Sequence, residues 1–422
     1  MAHAEDELHP LYQPHLRHDP FPVYAQMREE GPVQLVKEPR GIEHWVITRY
    51  DEARAALADR RLSRDPRNMW DVMRQTELYD EGEEDSEPHM LNADPPEHTR
   101  LRQLANKAFS AERVQRLRPR IQQITDELLA EIDTSRQFDF MSSFAAPMPI
   151  KVICELLGVP FQDAVSFTNW VLAALTPTYV KGERIRPYEA NRLLRDYFVD
   201  LVARKRAELK PGSGHEEEQP DLLSALIVAS DSGSTFTEKE VVSTANLLLI
   251  AGYKTTVNLI GNGMLALLQN PGEIDRLRAD MSLMPSAVEE LARYDGPVER
   301  AMLRVATEPI TIGEVTIPAG ALVTIANASA NRDERRFDEG ERLDVSRGDR
   351  NHLAFGYGIH YCIGAPLSRL ETEIAFTSLL NEFSEMTLAL PVEKLEYRET
   401  GVLRGLGELP VWFTRTGDGA AR

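Results

Sequence analysis

The spacing of apolar residues changes several times along the chain, and each change marks a new kind of element. Residues 20–60 predict helix, strand, helix, with HWVIT as a short strand between PFPVYAQMREE and YDEARAALAD. Residues 61–93 carry many charges and little periodicity and end at Asp94–Pro95–Pro96, which predicts a long connection. From Glu97 to about Leu129 apolar residues return at helical spacing, and helices continue through Val152 and Trp170 to about Leu209. PGSGHEEEQP (211–220) is a loop by composition. Val241 to Gln269 forms a long, mostly apolar helix ending at Asn270–Pro271, and a helix apolar on most sides must be buried. Pro285 to Tyr294 is a further helix, stopped by Asp295–Gly296–Pro297. Residues 309–327, which contain ITIGEVTIPAGALVTIAN, alternate around Gly313 and Gly320 and predict hairpin strands. A charged meander over 331–354 precedes a last helix, Pro366 to Phe383, and short C-terminal strands. The pattern predicts a mainly helical protein with small sheets.

Charge and cysteine content narrow the chemistry. The net charge of -19 argues against nucleic-acid binding. Residues 100–120 reverse the sign: Arg100, Arg102, Lys107, Arg113, Arg116, Arg118 and Arg120 stand against one acid, Glu112. That stretch reads either as a solvated helix face or as a patch that steers an acidic partner. No apolar run reaches membrane-spanning length, and the N-terminus lacks the layout of a signal peptide, so the expectation is a cytoplasmic protein with no membrane contact. Two cysteines, Cys154 and Cys362, make neither a disulfide framework nor a four-cysteine zinc site. Cys154, in VICELLGVP, reads as a buried small hydrophobe.

Cys362 sits in Phe355-Gly-Tyr-Gly-Ile-His-Tyr-Cys-Ile-Gly364. The glycines let the backbone pack against something flat or take positive φ, and Pro366 suits the first turn of the following helix. A cysteine just before a helix N-terminus is placed to be stabilised as a thiolate. The residues alone leave three readings open: a metal-bound thiolate, a redox or buried thiol, and a nucleophile assisted by His360.

This loop resembles the haem-binding loop of the cytochrome P450 family, Phe-Gly-x-Gly-x-His-x-Cys-x-Gly, at every fixed position. Three more stretches resemble family motifs in the same order. Asp94-Pro-Pro-Glu-His98-Thr-Arg-Leu-Arg102 places His98 and Arg102 four apart on one helix face. Ala251-Gly-Tyr-Lys-Thr-Thr256 lies in the long apolar helix, and Glu290-Leu-Ala-Arg293 matches the family's Glu-x-x-Arg. The resemblance implies one haem domain over 19–413, with an extension at 1–18 and a tail at 414–422. It implies a triangular helical fold with a β-rich lobe. The cofactor would be haem b (heme b, iron protoporphyrin IX), ligated by Cys362, with Phe355, Gly356 and Gly364 shaping its loop. His98, Arg102, Arg304 and His360 would hold the propionates. Thr255, beside Ala251, would hydrogen-bond dioxygen or the water that protonates it. Glu290, Arg293 and Arg342 would form a structural network.

One position departs from the family: Lys254 replaces the usual acid before the threonine. A lysine cannot shuttle a proton as a carboxylate does. Either Lys254 points away with its amine in water, or the proton route is altered, or it pairs with an acid or a polar substrate group. Asn246, Ile250, Ala251, Val298, Met302 and Val402 take the family's substrate-facing positions, and most are apolar. Helices around 160–210 and the 61–93 connection would form a lid. The implied activity is a monooxygenase that hydroxylates, or epoxidises, an apolar or macrocyclic secondary metabolite such as a polyketide or macrolide. Electrons would come from an acidic ferredoxin and its reductase, and the enzyme would be a monomer. The alternative is the same fold with peroxide-driven oxidation, oxidative coupling or dehydration. Nine lysines against 39 arginines fit a GC-rich bacterium.

Overall fold

The computed structural model describes residues 9–13, 18–38, 42–74, 88–175, 185–209, 219–231, 237–398 and 402–417. The expected loop at 211–220, the centre of the 61–93 connection and part of the expected lid therefore lie mostly outside the described residues. The N-terminal part runs α1 (Phe21–Glu30), β1 (Val33–Lys37), β2 (Glu43–Ile47), α2 (Tyr50–Ala58), β3 (Leu62–Ser63) and α3 (Trp70–Met73). The helical body follows with α4 (Glu97–Ala108), α5 (Ala111–Arg116), α6 (Arg118–Glu131), β4 (Phe138–Asp139), α7 (Pro147–Leu157), α8 (Ala164–Leu175), α9 (Pro187–Glu208), α10 (Leu222–Asp231), α11 (Glu238–Gln269), α12 (Pro271–Ala279) and α13 (Met284–Tyr294). The chain then makes β5 (Arg304–Ala306), β6 (Ile310–Ile312), β7 (Val315–Ile317), β8 (Leu322–Ile325), α14 (Asn327–Ala330), α15 (Ala365–Glu382), β9 (Phe383–Leu388) and β10 (Pro410–Arg415). Among the described residues no helix is long and apolar enough to cross a membrane.

Helix α11 is the axis of the body. A capping box, Thr237 with Glu240, starts it, and its last turn gives way to Pro271, which begins α12. Most of its length is buried in one large apolar cluster with α7, α9, α13 and α15. Gly252 is what admits α7: a Cβ there would lie 3.0 Å from the Ile153 side chain. The helical stretch from Glu97 is broken into α4, α5 and α6. The Ser110 side chain caps the Arg113 amide at 3.2 Å, and Pro119 restarts the helix at α6.

The β-rich lobe is a five-stranded sheet in the order β1-β2-β8-β5-β3. The hairpin expected over 309–327 holds only for β6 and β7, which pair Ile310 with Ile317. Strand β8 leaves it to run parallel to β2 (Val46 opposite Thr324) and antiparallel to β5 (Arg304 opposite Val323). All four β8 residues are buried, so the strand needs partners on both edges, which a two-stranded ribbon cannot give. Several elements escape the pattern reading, α12 and the shortest helices and strands among them, and two show why. In α10 seven of ten residues are buried, leaving no helical period to see, and β1 shows no clean alternation.

The end of α13 fixes how the chain enters the segment before β5. A Cβ at Gly296 would collide with the Ala292 carbonyl oxygen, a backbone atom that cannot move aside. Gly296→Ala is therefore expected to destabilise the fold by about 2 kcal/mol, measured by thermal unfolding, whereas Gly272→Ala, which has open space, should be neutral.

Candidate active site

The cysteine loop is built to leave one sulfur reachable. Gly356 and Gly358 both have φ 74°, where a side chain is strained, and a Cβ on Gly358 would also lie 3.1 Å from the Leu57 carbonyl oxygen of α2. The Cys362 amide donates to the Phe355 carbonyl at 2.9 Å and closes the loop. Cys362, Tyr361 and Ile359 are exposed, with Cys362 in a recess among protein atoms. Burial there pushes its thiol up, opposed by the amides of Gly364 and Ala365 and by the cations Arg102 and Arg369. A metal ion on the sulfur reverses that balance, since a coordinating thiol is deprotonated outright. Cys154, by contrast, is buried in the core and pushed up to about 12.

Beside the loop lies a cluster of basic side chains, the buried His98, Arg304 and Arg64 and the half-buried His360. His98, four residues before Arg102 on α4, meets His360 edge-on at 4.5 Å, and its ring makes no well-formed hydrogen bond beyond its approach to the Ile359 backbone. Burial and the cations Arg304 and Arg64 press His360 down to about 3, and burial lowers His98 too. Arg304, at the start of β5, is buried with its Nε unpartnered. Arg64 was not singled out in the sequence. It is buried and donates to the carbonyls of Leu91 (3.2 Å) and Leu303, and it reaches Met302 Sδ at 3.5 Å. Burial and mutual repulsion press Arg64 down to about 9, and burial presses Arg304 down to about 10. The acid acting on both is Asp94, whose oxygens already accept from Ser63 Oγ and the Arg64 amide. Unpartnered donors and uncompensated positive charge fit the two propionates of a haem. Arg102, whose charge also acts on His98, donates to the Tyr361 carbonyl at 2.6 Å, next to Cys362.

Behind the loop, α13 presents two adjacent buried acids. Glu289 accepts from His352 (3.0 Å) and from Arg369 Nε (2.7 Å) and Nη2 (3.1 Å). Arg369 also donates to the Tyr361 hydroxyl at 3.2 Å and lies 4.4 Å over the Phe355 ring. Burial alone would raise the Glu289 carboxyl, but these donors outweigh it and hold it at about 2. Glu290 is paired with Arg293 through two bonds of 2.8 Å. The third member of that network is Arg347, whose Nε donates to Glu290 at 3.2 Å. Arg342, expected in that place, instead turns its guanidinium to Glu339 at the surface, with its side chain 53% exposed. It contributes its backbone carbonyl, which accepts from Arg293 and Arg347. The meander turns between the two positions, so spacing alone could not tell which arginine points inward.

Helix α11 carries several residues that are not fully buried. Ser243, Asn246, Ile250 and Thr255 are half-buried and Ala251 is exposed. The Thr255 hydroxyl donates to the Ala251 carbonyl at 2.6 Å. Val298 bridges Leu403, the amides of Glu299 and Arg300 donate to the Val402 carbonyl, and Met302 is exposed. The structure therefore brings the expected 298–303 and 402–403 segments together. Lys254 does not place its amine in open water: it is buried, and burial with the nearby Arg398 cation lowers it to about 8.

Comparison with known proteins agrees with this geometry. The family model for cytochrome P450 matches residues 11–405. Cytochrome P450 107B1 of Saccharopolyspora erythraea is 42% identical over 92% of this chain and 93% of its own length. The polyketide biosynthesis cytochrome P450 PksS of Bacillus subtilis is 39% identical over 96% of this chain and 99% of its own. The solved structure of the tirandamycin C-bound P450 monooxygenase TamI superposes with a TM-score of 0.83 at 41% identity, covering 94% of this chain and 98% of that one. The chain belongs to the cytochrome P450 family. It is a cytochrome P450 monooxygenase with the P450 fold, a haem held through a cysteine thiolate, and reactants that are a small molecule, dioxygen and electrons from redox partners.

The corrected network yields a direct comparison. Arg347→Ala leaves Glu290 short of a buried partner and should cost about 3–5 kcal/mol, whereas Arg342→Ala should stay within about 0.5 kcal/mol of the parent. Thermal unfolding of both purified holoproteins checks the difference, and equal losses would contradict the assignment.

Proposed function

We propose that this enzyme uses Cys362 as its haem ligand and oxidises an apolar secondary metabolite of the polyketide class by hydroxylation or epoxidation. The observation that carries the ligand is that Cys362 is the exposed cysteine, in a loop held from behind by the Glu289–Arg369–His352 cluster. When bound, the haem supplies dioxygen activation, which a thiolate ligand promotes by pushing electron density toward O–O cleavage. His98, His360, Arg304 and Arg64 hold the propionates, and Arg102 borders the loop at Tyr361. Phe355, Gly356 and Gly364 give the loop its shape, and Glu290, Arg293 and Arg347 fix the meander beneath it. With its hydroxyl hydrogen given to the Ala251 carbonyl, Thr255 offers its lone pairs to a water. Ala251 leaves room there. Ile250, Val298, Met302 and Val402 supply the apolar walls, with Asn246 farther along α11. The relative named for polyketide biosynthesis and the tirandamycin C complex support the substrate class.

Electrons come from an acidic ferredoxin and its reductase, in the cytoplasm, to a monomeric enzyme whose folded unit is 19–413. Part of the basic stretch is already neutralised within the chain: Arg100 pairs with Glu240, Arg118 with Glu373 and Arg120 with Glu155. Docking then relies on the remaining positive charge near Arg102 and Arg116. One experiment tests ligand and donor together. Reduction of the holoenzyme by ferredoxin and its reductase under carbon monoxide should develop the thiolate-type Soret band, at a rate that falls as salt rises. Cys362→Ser should not develop it. A salt-insensitive rate contradicts electrostatic docking, and a thiolate band in Cys362→Ser contradicts the ligand.

The burial of Lys254 favours a second reading of the distal chemistry. Lys254 is buried rather than held in open water, and a lysine does not relay protons as the usual acid does, so the proton route is altered and runs through Thr255, Thr256, water or a substrate hydroxyl. Peroxide-driven oxidation, oxidative coupling or dehydration are the outcomes this departure would favour. Lys254→Glu is expected to change the fraction of NAD(P)H consumption that appears as product rather than peroxide. Unchanged coupling contradicts an altered proton route.

A further inference from the structure

We propose that Lys254 is a modification site: its side-chain amine takes up carbon dioxide and is carried as a carbamate, an anion held in the field of the Arg398 cation. The inference does not depend on the proton route proposed above, and its readout is not activity.

Of the lysines whose side chains are described, Lys254 alone is buried, with 7% of its surface exposed. A buried ammonium ordinarily carries an ion pair or hydrogen bonds. The half-buried Lys205 does so, with Asp221 at 2.6 Å. Among the described residues Lys254 has neither, and the one charge acting on it is a like charge, that of Arg398. The Arg398 amide donates to the Gly405 carbonyl at 2.9 Å, and its charge reaches Tyr253 as well. Gly405 in turn lies against Asn258, one turn of α11 after Lys254: a Cβ on Gly405 would collide with the Asn258 amide. Asn258 is buried, and its Oδ1 accepts no hydrogen bond. Lys254, Asn258, Arg398 and Gly405 thus form one cluster. It gathers two cations and an acceptor without a donor, and no carboxylate acts on Lys254 among the described residues.

A carbamate answers each of these features. It replaces a cation by an anion, so repulsion from Arg398 becomes attraction. It brings two acceptor oxygens for guanidinium N–H groups and keeps one N–H for an acceptor such as Asn258 Oδ1. The amine is also prepared for the reaction, because only its free form is nucleophilic. Burial and Arg398 lower Lys254 to about 8, which leaves about 300-fold more free amine near pH 7 than an ordinary lysine has. In the step, the nitrogen lone pair forms a bond to the carbon of carbon dioxide. One C–O π pair moves onto oxygen, and one amine proton leaves to water. Nothing is oxidised or reduced, and the only co-reactant is carbon dioxide, which is small and uncharged.

The test uses the holoenzyme equilibrated near neutral pH with carbon-13 bicarbonate and carbon dioxide. Carbon-13 NMR separates a carbamate from both reagents. Esterification with a trialkyloxonium salt, followed by peptide mass spectrometry, locates the carboxyl group. The wild type should carry the label on Lys254 at carbon dioxide levels that leave Lys205 bare. Lys254→Arg should lose that resonance, and Arg398→Gln should lower its occupancy severalfold. An intact thiolate-type carbon monoxide spectrum shows that each variant is folded. An unlabelled Lys254 peptide overturns the inference, as does a carbamate resonance of full intensity in Lys254→Arg. If Lys254→Glu alters coupling while wild-type Lys254 stays unlabelled, the proton-route reading stands and this inference falls alone.

Discussion

A sulfur that must be reached from one side has to be held from the other, and in this protein buried ionic pairs do the holding. Glu289 and Glu290 are neighbours on α13, so their side chains leave the helix in different directions. One ties His352 and Arg369 behind the cysteine loop, and the other ties Arg293 and Arg347 into the meander. Buried pairs of this kind add little net stability over apolar residues, but removing one partner is costly. Their value here is positional. The loop has no regular secondary structure beyond one short turn, and these two carboxylates connect it rigidly to the helical body.

Much of this was legible in the sequence, and the limits have physical causes. The loop around Cys362, the stop of α11 at Asn270–Pro271, and the Glu290–Arg293 pair all depend on residues close in sequence. Their spacing therefore carries the information. Arg64, Arg369 and Arg347 depend on contacts between distant segments, and an arginine in a charged stretch looks the same whether it turns inward or outward. The Arg342 expectation failed for that reason. Strand β8 failed similarly, because alternation reports which residues face inward and not which strand lies alongside. Helix α10 was missed since a helix buried on nearly all sides has no polar face to mark its period.

Helix α11 divides its polar residues between two faces. Lys254, Asn258 and Asn262, spaced by four, are buried, the two asparagines beneath the 404–405 segment. Ser243, Asn246 and Thr255 belong to the half-buried stripe. A family position that changes from acid to lysine thus falls on the buried face, adjacent in sequence to the threonine but not on its stripe. The departure adds a basic group to the buried face and none to the stripe that holds Thr255.

The two buried arginines Arg64 and Arg304, beside the neutral rings of His98 and His360, bear on how the protein comes to exist at all. Like charges gathered out of water oppose the compact state until an anion joins them. Cofactor capture is then part of folding, and the stability of the chain rises with the free concentration of the group that brings that anion. Cells short of haem would hold less of this protein through faster loss of the unfilled form, whatever the rate of its synthesis. A cluster that holds the propionates as proposed would thus tie the abundance of the enzyme to cofactor supply.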